Sequence, residues 1–112
     1  MTAYAIARLR NVKMGPEIAD YLAHIDDTLA PFHGQFIIHG SKPKVVEGEW
    51  AEDLIAIAFP DFDHARAWYE SAAYQRILAL RTKNSTGDVI LIDGVPVGHK
   101  ATDILVASPE AH

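Results

Sequence analysis

Six histidines are the side chains in this sequence best suited to exchange a proton near neutral pH. His39 is the strongest candidate among them for an acid or base. Side chains of a strand alternate between the two faces of its sheet, so in a predicted strand His39 shares a face with Gln35 and Ile37. We assign this face to the interior of a barrel that is predicted below. An imidazole at the rim of an apolar cavity can take up and return a proton. The alternative is a structural histidine, satisfied by a backbone carbonyl at the end of the strand.

The other histidines indicate no metal site. No two of the six form an H-x-H or H-x-x-x-H pair, and none is spaced with carboxylates as metal ligands are. His24 follows Asp20 by one helical turn, which favours a surface ion pair over a general base. His64 falls in a predicted first helical turn, where we expect it to face solvent. We therefore predict no metal and no cofactor.

Two arginines, Arg8 and Arg81, are candidates for holding an anionic ligand. A buried arginine needs a partner, and the acid-rich loop from Glu47 to Asp53 could supply one. Because pairing within the protein is the more common role of a buried arginine, a structural alternative stays open for both residues.

An aromatic cluster, Trp68, Tyr69 and Tyr74, surrounds a predicted helix break at Ser71. Aromatic residues at helical spacing usually belong to the core. Helix ends near a sheet edge also frame pocket mouths, so a tyrosine hydroxyl here could orient a ligand, and Trp50 could cover the opening from its loop. We therefore predict ligand-binding roles for five residues: Arg8, Trp50, Tyr69, Tyr74 and Arg81.

The hydrophobic pattern predicts four strands and two helical regions that position these side chains. The strands are predicted over residues 4–9, 34–40, 54–59 and 89–92. The first helix begins near Pro16 and ends before Pro31, and the second begins at an Asp61 cap, breaks at Ser71 and reaches Arg81. The order β-α-β-β-α-β is that of a ferredoxin-like α+β sandwich, in which both helical regions cover one face of an antiparallel sheet.

That fold leaves the second face of the sheet uncovered. Alternation in the first strand places Ala5 and Ala7 beneath the helices and puts Tyr4, Ile6 and, from the second strand, Ile37 on the open face. An apolar face of this size is unfavourable in a monomer, and a second copy packed sheet to sheet would cover it. We therefore predict a homodimer whose two sheets form a dimeric α/β barrel.

The chain divides into a ferredoxin-like domain over residues 1–94 and a C-terminal extension over residues 95–112. The extension contains an apolar run, Ile104-Leu105-Val106-Ala107, which is more hydrophobic than a disordered tail should be. We expect this run to add a strand to the partner subunit or to wrap around it. Packing of the extension on its own subunit is the alternative.

Composition argues against several classes of function. Fifteen acidic and ten basic residues give a formal net charge of −5, which argues against nucleic-acid binding because that function needs a basic face. No apolar run approaches the ~20 residues of a membrane helix, and no signal-peptide pattern is present. We therefore predict a cytoplasmic protein with no membrane association.

The sequence has no cysteine for thiol catalysis, and no phosphate-binding loop or G-x-S-x-G motif.

Seven features, taken in this order, resemble the DUF1330 family, a domain of unknown function. They are AYAIARLR, HGQFIIHG, EGEW, IAIAFP, ARAWYESAAYQ, Arg81 and DVILIDG, and they span residues 3–94. The resemblance implies a dimeric α/β barrel of the ferredoxin-like type, which small cofactor-free monooxygenases and muconolactone isomerase-like proteins also have. His39 departs from the family pattern, which commonly has arginine there, and this difference removes a fixed positive charge.

These observations leave two functions open. The first is a cofactor-independent oxygenase or isomerase acting on a small organic molecule, with His39 as acid or base and with Arg8 or Arg81 and Tyr69 orienting the substrate. The second is a non-catalytic module that binds a small ligand or serves as a structural dimer. An enclosed cavity beside His39 would favour a ligand, whereas a barrel filled with side chains would exclude catalysis there.

Overall fold

The computed structural model describes residues 1–106, which form a four-stranded antiparallel sheet with helices on one face. The strands are β1 (Ala3–Arg10), β2 (Gln35–Ile38), β3 (Asp53–Phe59) and β4 (Thr86–Asp93), and the helices are α1 (Pro16–Leu29), α2 (Phe62–Glu70) and α3 (Ala72–Thr82). Two short 3₁₀ helices cover Ala30–Phe32 and Ala101–Val106. The strand order β2-β3-β1-β4 is that of the predicted ferredoxin-like α+β fold. None of the described helices has the length and apolar character needed to cross a membrane.

Side-chain caps fix the starts of the second and third helices. The Asp61 carboxylate accepts a hydrogen bond from the His64 amide at 2.9 Å, at the start of α2. The Ser71 hydroxyl accepts one from the Tyr74 amide at 3.2 Å, at the start of α3. Ser71 itself has extended backbone angles, so it separates the two helices. The predicted cap and the predicted helix break are both confirmed.

The core lies between the sheet and the helices. On this side β1 contributes Ala3 and Ala5, and its neighbour β3 contributes Ile57 and Phe59, all of them buried. The helices complete the core with Tyr21, Ile25, Leu29, Trp68 and Tyr74. The alternation predicted for the first strand is confirmed, and it places small side chains at the middle of the sheet.

A β-bulge interrupts the pairing of β2 with β3 between Phe36 and Ile38. Gln35 and Ile38 pair with residues on the open face, whereas Phe36 pairs with a residue on the helix side. The extra residue shifts the alternation, so His39 lies on the helix side and stacks on Phe36 with 4.5 Å between ring centroids. The prediction that His39 shares a face with Gln35 is therefore wrong.

The open face of the sheet carries exposed apolar side chains on both of its edge strands. Ile90 and Ile92 of β4 are 52% and 48% exposed, and Ile38 of β2 is 37% exposed. Ile6 of β1 lies directly beside Ile90 in the register of the two strands. Helices α1, α2 and α3 pack on the other face, so the isoleucines of the edge strands stay exposed.

The C-terminal extension contains a 3₁₀ helix, Ala101–Val106, over most of its apolar run. Ile104 and Leu105 are exposed in that helix, whereas Ala107 lies outside the described residues. Residues 104–106 of the run are therefore not extended, as an added strand would be, and the contact of the run with a partner subunit stays a prediction.

Candidate ligand-binding site

A cavity of about 380 Å³ lies between the sheet and helices α1 and α3. Ala5 and Ala7 of β1 form part of its floor, and their small side chains leave space over the middle of the sheet. Most of the remaining wall is apolar: Leu9, Ile18, Ile25, Ile55, Ile57 and Val89. A cavity of this volume accommodates a small organic molecule.

Two buried tyrosines meet at the wall of the cavity. Tyr21 comes from α1 and Tyr74 from the first turn of α3, and their hydroxyl oxygens lie 2.7 Å apart in a hydrogen bond. Their rings meet edge to face, with 6.2 Å between centroids and 71° between planes. Burial first, and then the neighbouring Tyr74, raises the pKa of the Tyr21 hydroxyl well above its ordinary value. Tyr21 therefore keeps its proton across the physiological range.

Arg81 brings a buried positive charge to the same cavity. It comes from α3, is only 8% exposed, and places its guanidinium carbon 5.9 Å from the centroid of the Tyr21 ring. Burial opposes this charge, but the nearby Tyr74 and Tyr21 outweigh that effect and hold the pKa of Arg81 above its ordinary value. The cavity therefore contains a permanent cation among aromatic and aliphatic side chains.

No carboxylate of residues 1–106 forms an ion pair with Arg81. In the acid-rich loop, Glu52 lies 3.9 Å from Arg10 instead. Asp53 lines the cavity but makes no ion pair with Arg81. The acid-rich loop, which could have supplied a partner, therefore does not pair with Arg81, and the guanidinium has no ion-pair partner among these residues.

His39 lies at the exposed edge of the cavity, together with Gly40 and Asp53. Its ring is nearly parallel to that of Phe36, with 26° between the planes. Within residues 1–106 the imidazole makes no hydrogen bond to a backbone carbonyl, unlike the imidazole of His24. Its two nitrogens are therefore available to a ligand or to solvent.

Three of the predicted ligand-binding residues lie outside the described lining of the cavity. Arg8 faces the open side of the sheet, where its guanidinium pairs with Asp88 at 2.9 Å. Trp50 donates a hydrogen bond from Nε1 to the backbone carbonyl two residues later at 2.7 Å. Tyr69 packs behind the site, with its ring centroid 5.5 Å from that of Tyr74. The structure thus brings together three of the six predicted site residues: His39, Tyr74 and Arg81.

Tyr21 is a member of the site that the sequence pattern did not predict. It belongs to the apolar stripe of α1, and helical periodicity does not distinguish a core tyrosine from one that lines a cavity. One signal was present, because a buried tyrosine hydroxyl requires a hydrogen-bond partner. That partner is Tyr74, 53 positions away in the chain.

Two other histidines have the local partners expected for surface residues. The Nδ1 atom of His24 lies 2.8 Å from the Asp20 carbonyl oxygen and 3.1 Å from the Asp20 carboxylate, which confirms the predicted ion pair. The Nδ1 atom of His64 lies 2.7 Å from the Asp61 carboxylate. In the part of the chain that the structure describes, no group of three or more histidine and acidic side chains is arranged to hold a metal ion.

A model of the family described as a domain of unknown function, DUF1330, matches residues 2–95. No curated protein matches the chain in sequence.

Several solved structures share the fold at low sequence identity. A dimeric ferredoxin-like protein of unknown function from Jannaschia sp. CCS1 is 14% identical, with 84% of this chain and 100% of that chain covered and a TM-score of 0.66. A protein of unknown function from Rhodopseudomonas palustris is 12% identical, with 85% and 83% covered and a TM-score of 0.62. SnoaB, a cofactor-independent oxygenase from Streptomyces nogalater, is 14% identical, with 88% and 98% covered and a TM-score of 0.62. At these identities the likeness shows the fold and not the activity.

Proposed function

The chain belongs to the DUF1330 family, and we propose that it binds a small organic molecule in the cavity between its sheet and its helices. The observation that carries this proposal is the cavity itself, an apolar space of about 380 Å³ into which only a few polar groups project. Ligand sites in proteins have this composition, because apolar walls supply affinity and a few polar groups fix orientation.

We further propose that the protein acts on this molecule without a cofactor, as an oxygenase or an isomerase. His39 at the exposed edge takes a proton from carbon, and Tyr74 and Arg81 on the buried side orient the substrate. In an isomerase the same proton returns to a different carbon. In an oxygenase the resulting carbanion forms a C–O bond with O₂, which is the oxidant, and the peroxide takes the proton back from His39. Cleavage of the O–O bond with loss of water, which removes the second hydrogen of that carbon, leaves a carbonyl group, so one oxygen atom enters the product and the other leaves as water. The fold shared with SnoaB supports this choice of reaction class by analogy alone.

A non-catalytic binding module is the second candidate. The observation that favours it is the environment of His39, whose imidazole is exposed and has no carboxylate ion pair within residues 1–106. Catalytic histidines are usually oriented by a hydrogen bond from the second ring nitrogen. On this alternative the same cavity binds the same class of molecule, but His39 has no part in turnover.

The protein is proposed to work as a homodimer. The apolar open face of the sheet is complementary to itself, and two copies related by a two-fold axis would bury it. The likeness to a ferredoxin-like protein that is described as dimeric supports this arrangement. The C-terminal extension, with Ile104 and Leu105 exposed, is proposed to contact the partner subunit.

Filling the cavity tests the binding function. Ala7→Leu adds a larger apolar side chain to the cavity floor, whereas Ala19→Leu makes the same change at an exposed position of α1. With methyl 2-naphthoate as a neutral probe, isothermal titration calorimetry should show binding by the wild type and Ala19→Leu and a loss of at least about tenfold in affinity for Ala7→Leu. Equal affinity of both variants would place the ligand elsewhere and overturn the proposal.

Turnover distinguishes the enzyme from the binding module. The wild-type protein is mixed with a panel of small aromatic ketones and phenols, and O₂ uptake and product formation are measured. We expect His39→Ala to lower kcat by about 100-fold or more, the usual contribution of a general base, with little change in KM. A variant that binds and turns over substrate like the wild type would exclude His39 as the base.

A further inference from the structure

We propose that the buried side of the cavity is an anion-binding site, at which Arg81 and the Tyr21–Tyr74 pair hold one ionised oxygen of the ligand. The ligand class is then an apolar ring compound with a single acidic oxygen, as in a carboxylate or a phenolate. This inference rests on the proposed function, because it specifies the chemistry of the molecule that occupies the same cavity.

The polar groups on the buried side are rich in hydrogen-bond donors. In the bond between Tyr21 and Tyr74 one hydroxyl donates and the other accepts, so the accepting residue keeps a free O–H. The Arg81 guanidinium has five N–H donors and no acceptor. No fully enclosed side-chain nitrogen or oxygen in residues 1–106 lacks a partner, so any free N–H group of Arg81 is accessible, and Arg81 itself lines the cavity. A ligand atom that meets these groups has to accept hydrogen bonds.

The electrostatics favour an acceptor that carries a negative charge. Arg81 is buried beside the Tyr21 ring and has no carboxylate partner in the described chain. Because apolar walls weaken dielectric screening, its attraction for an anion is stronger here than at the protein surface. The free-energy penalty of removing the guanidinium from water is already present in the empty protein. An anionic ligand would offset this penalty, because it supplies the opposite charge that the described part of the chain lacks at this position.

The positions of the other charges give the ligand one orientation. Asp53 and His39 are both exposed residues of the lining, and the Asp53 carboxylate would repel an anionic oxygen placed at this exposed edge. The ionised oxygen is therefore directed to Arg81 and the remaining ring to His39. The formal net charge of −5 opposes non-specific anion binding, so a preference for an anion has to arise from a local site.

A matched pair of probes tests this inference. 2-Naphthoate and methyl 2-naphthoate share one ring system, but only the first is ionised at neutral pH. We expect the wild type to bind 2-naphthoate about 10- to 100-fold more tightly than the ester by calorimetry, the range expected of hydrogen bonds to a charged group. Arg81→Met should abolish the preference, because it weakens binding of 2-naphthoate far more than binding of the ester, and Arg81→Lys should retain part of it. Arg76→Met, at an exposed position of the same helix, is the control and should bind both probes as the wild type does.

A third probe distinguishes the two sources of the anionic oxygen. 2-Naphthol is added at a pH below its ordinary pKa, and the naphtholate absorption band shows whether the bound phenol loses its proton. Appearance of the band in the wild type and its absence in Arg81→Met would identify a phenolate site, whereas tight binding of 2-naphthoate alone would identify a carboxylate site. Either result supports the anion assignment.

The outcomes separate this inference from the proposed function. Equal affinity of the wild type for 2-naphthoate and its ester would overturn the anion site and leave the cavity as a ligand site. An unchanged preference for 2-naphthoate in Arg81→Met would likewise remove Arg81 from the site. If the wild type bound neither probe, the proposed function would fail together with this inference. The wild-type comparison stands even if both Arg81 variants prove too unstable to study.

Discussion

Charged side chains in this protein fall into two groups with different physical roles. Arg8 pairs with Asp88, and Arg66 pairs with Asp63, in solvent-exposed contacts of 2.9 and 3.1 Å. Water and salt screen such pairs, so they contribute little to stability. Arg81 differs, because it is buried against aromatic rings without a carboxylate partner in residues 1–106. A buried charge without a carboxylate partner, on the lining of a cavity, supports the proposed ligand site.

His24 gives a prediction about pH. A hydrogen bond with the Asp20 backbone carbonyl, and next the Asp20 carboxylate, raises the pKa of His24 above its ordinary value. The folded protein therefore binds this proton more tightly than the unfolded chain does. The resulting stabilisation is fully present below the unfolded pKa of about 6.5 and is lost as the pH rises through the folded pKa. We expect His24→Gln to lower Tm relative to the wild type at about pH 5, and to have little effect at about pH 9.

An NMR titration of the His24 ring measures the shift directly. Asp20→Asn should lower the pKa of His24 only in part, because the backbone carbonyl remains in place. A pKa of His24 at or below that of an unfolded histidine would contradict this account.

The start of α3 links secondary structure to the site. The Ser71 hydroxyl accepts a hydrogen bond from the Tyr74 amide and donates one to the Trp68 carbonyl at 2.7 Å. Ser71 therefore holds together the two helix ends that carry these aromatic rings. Ser71→Ala removes the cap and should lower the free energy of unfolding by about 1 kcal/mol in urea denaturation. Because Tyr74 becomes less well fixed, affinity for 2-naphthoate should also decrease. Ser41→Ala, at an exposed loop position, is the control, and equal stability of the two variants would contradict the capping role.

The positions of the helices could be predicted from residues close together in the sequence. The pairing of the strands and the membership of the site could not, because they depend on contacts between distant residues. Pro16 and Ser71 act on neighbouring backbone groups, so their effects follow from the sequence around them. The β-bulge at Phe36 depends on how β2 pairs with β3, and a loop of 14 residues separates these strands. For this reason simple alternation assigned His39 to the wrong face. Tyr21 could not be assigned to the site, because its partner Tyr74 is distant in sequence.

At the scale of the molecule, the two faces of one sheet have different roles. The helix-covered face contains Ala5 and Ala7 and therefore a cavity, whereas the open face carries exposed isoleucines. The sequence predicted both faces of β1, because residues on a strand alternate strictly between them. The cavity volume could not be predicted in the same way, since it depends on how closely α1 and α3 approach the sheet.

The open face leads to a prediction about assembly. Ile90 of the edge strand β4 is 52% exposed beside Ile6, in the surface that we expect a second copy to cover. Ile90→Lys places a charge in that interface without disturbing the core, so it should convert a dimer into a monomer in analytical ultracentrifugation, with the fold retained by circular dichroism. Val46→Lys is the matched control, since Val46 is 84% exposed in the loop before β3 and should leave the dimer intact. A wild-type protein that sediments as a monomer at tens of micromolar, or an Ile90→Lys variant that dimerises as strongly as the wild type, would show that this face has another role.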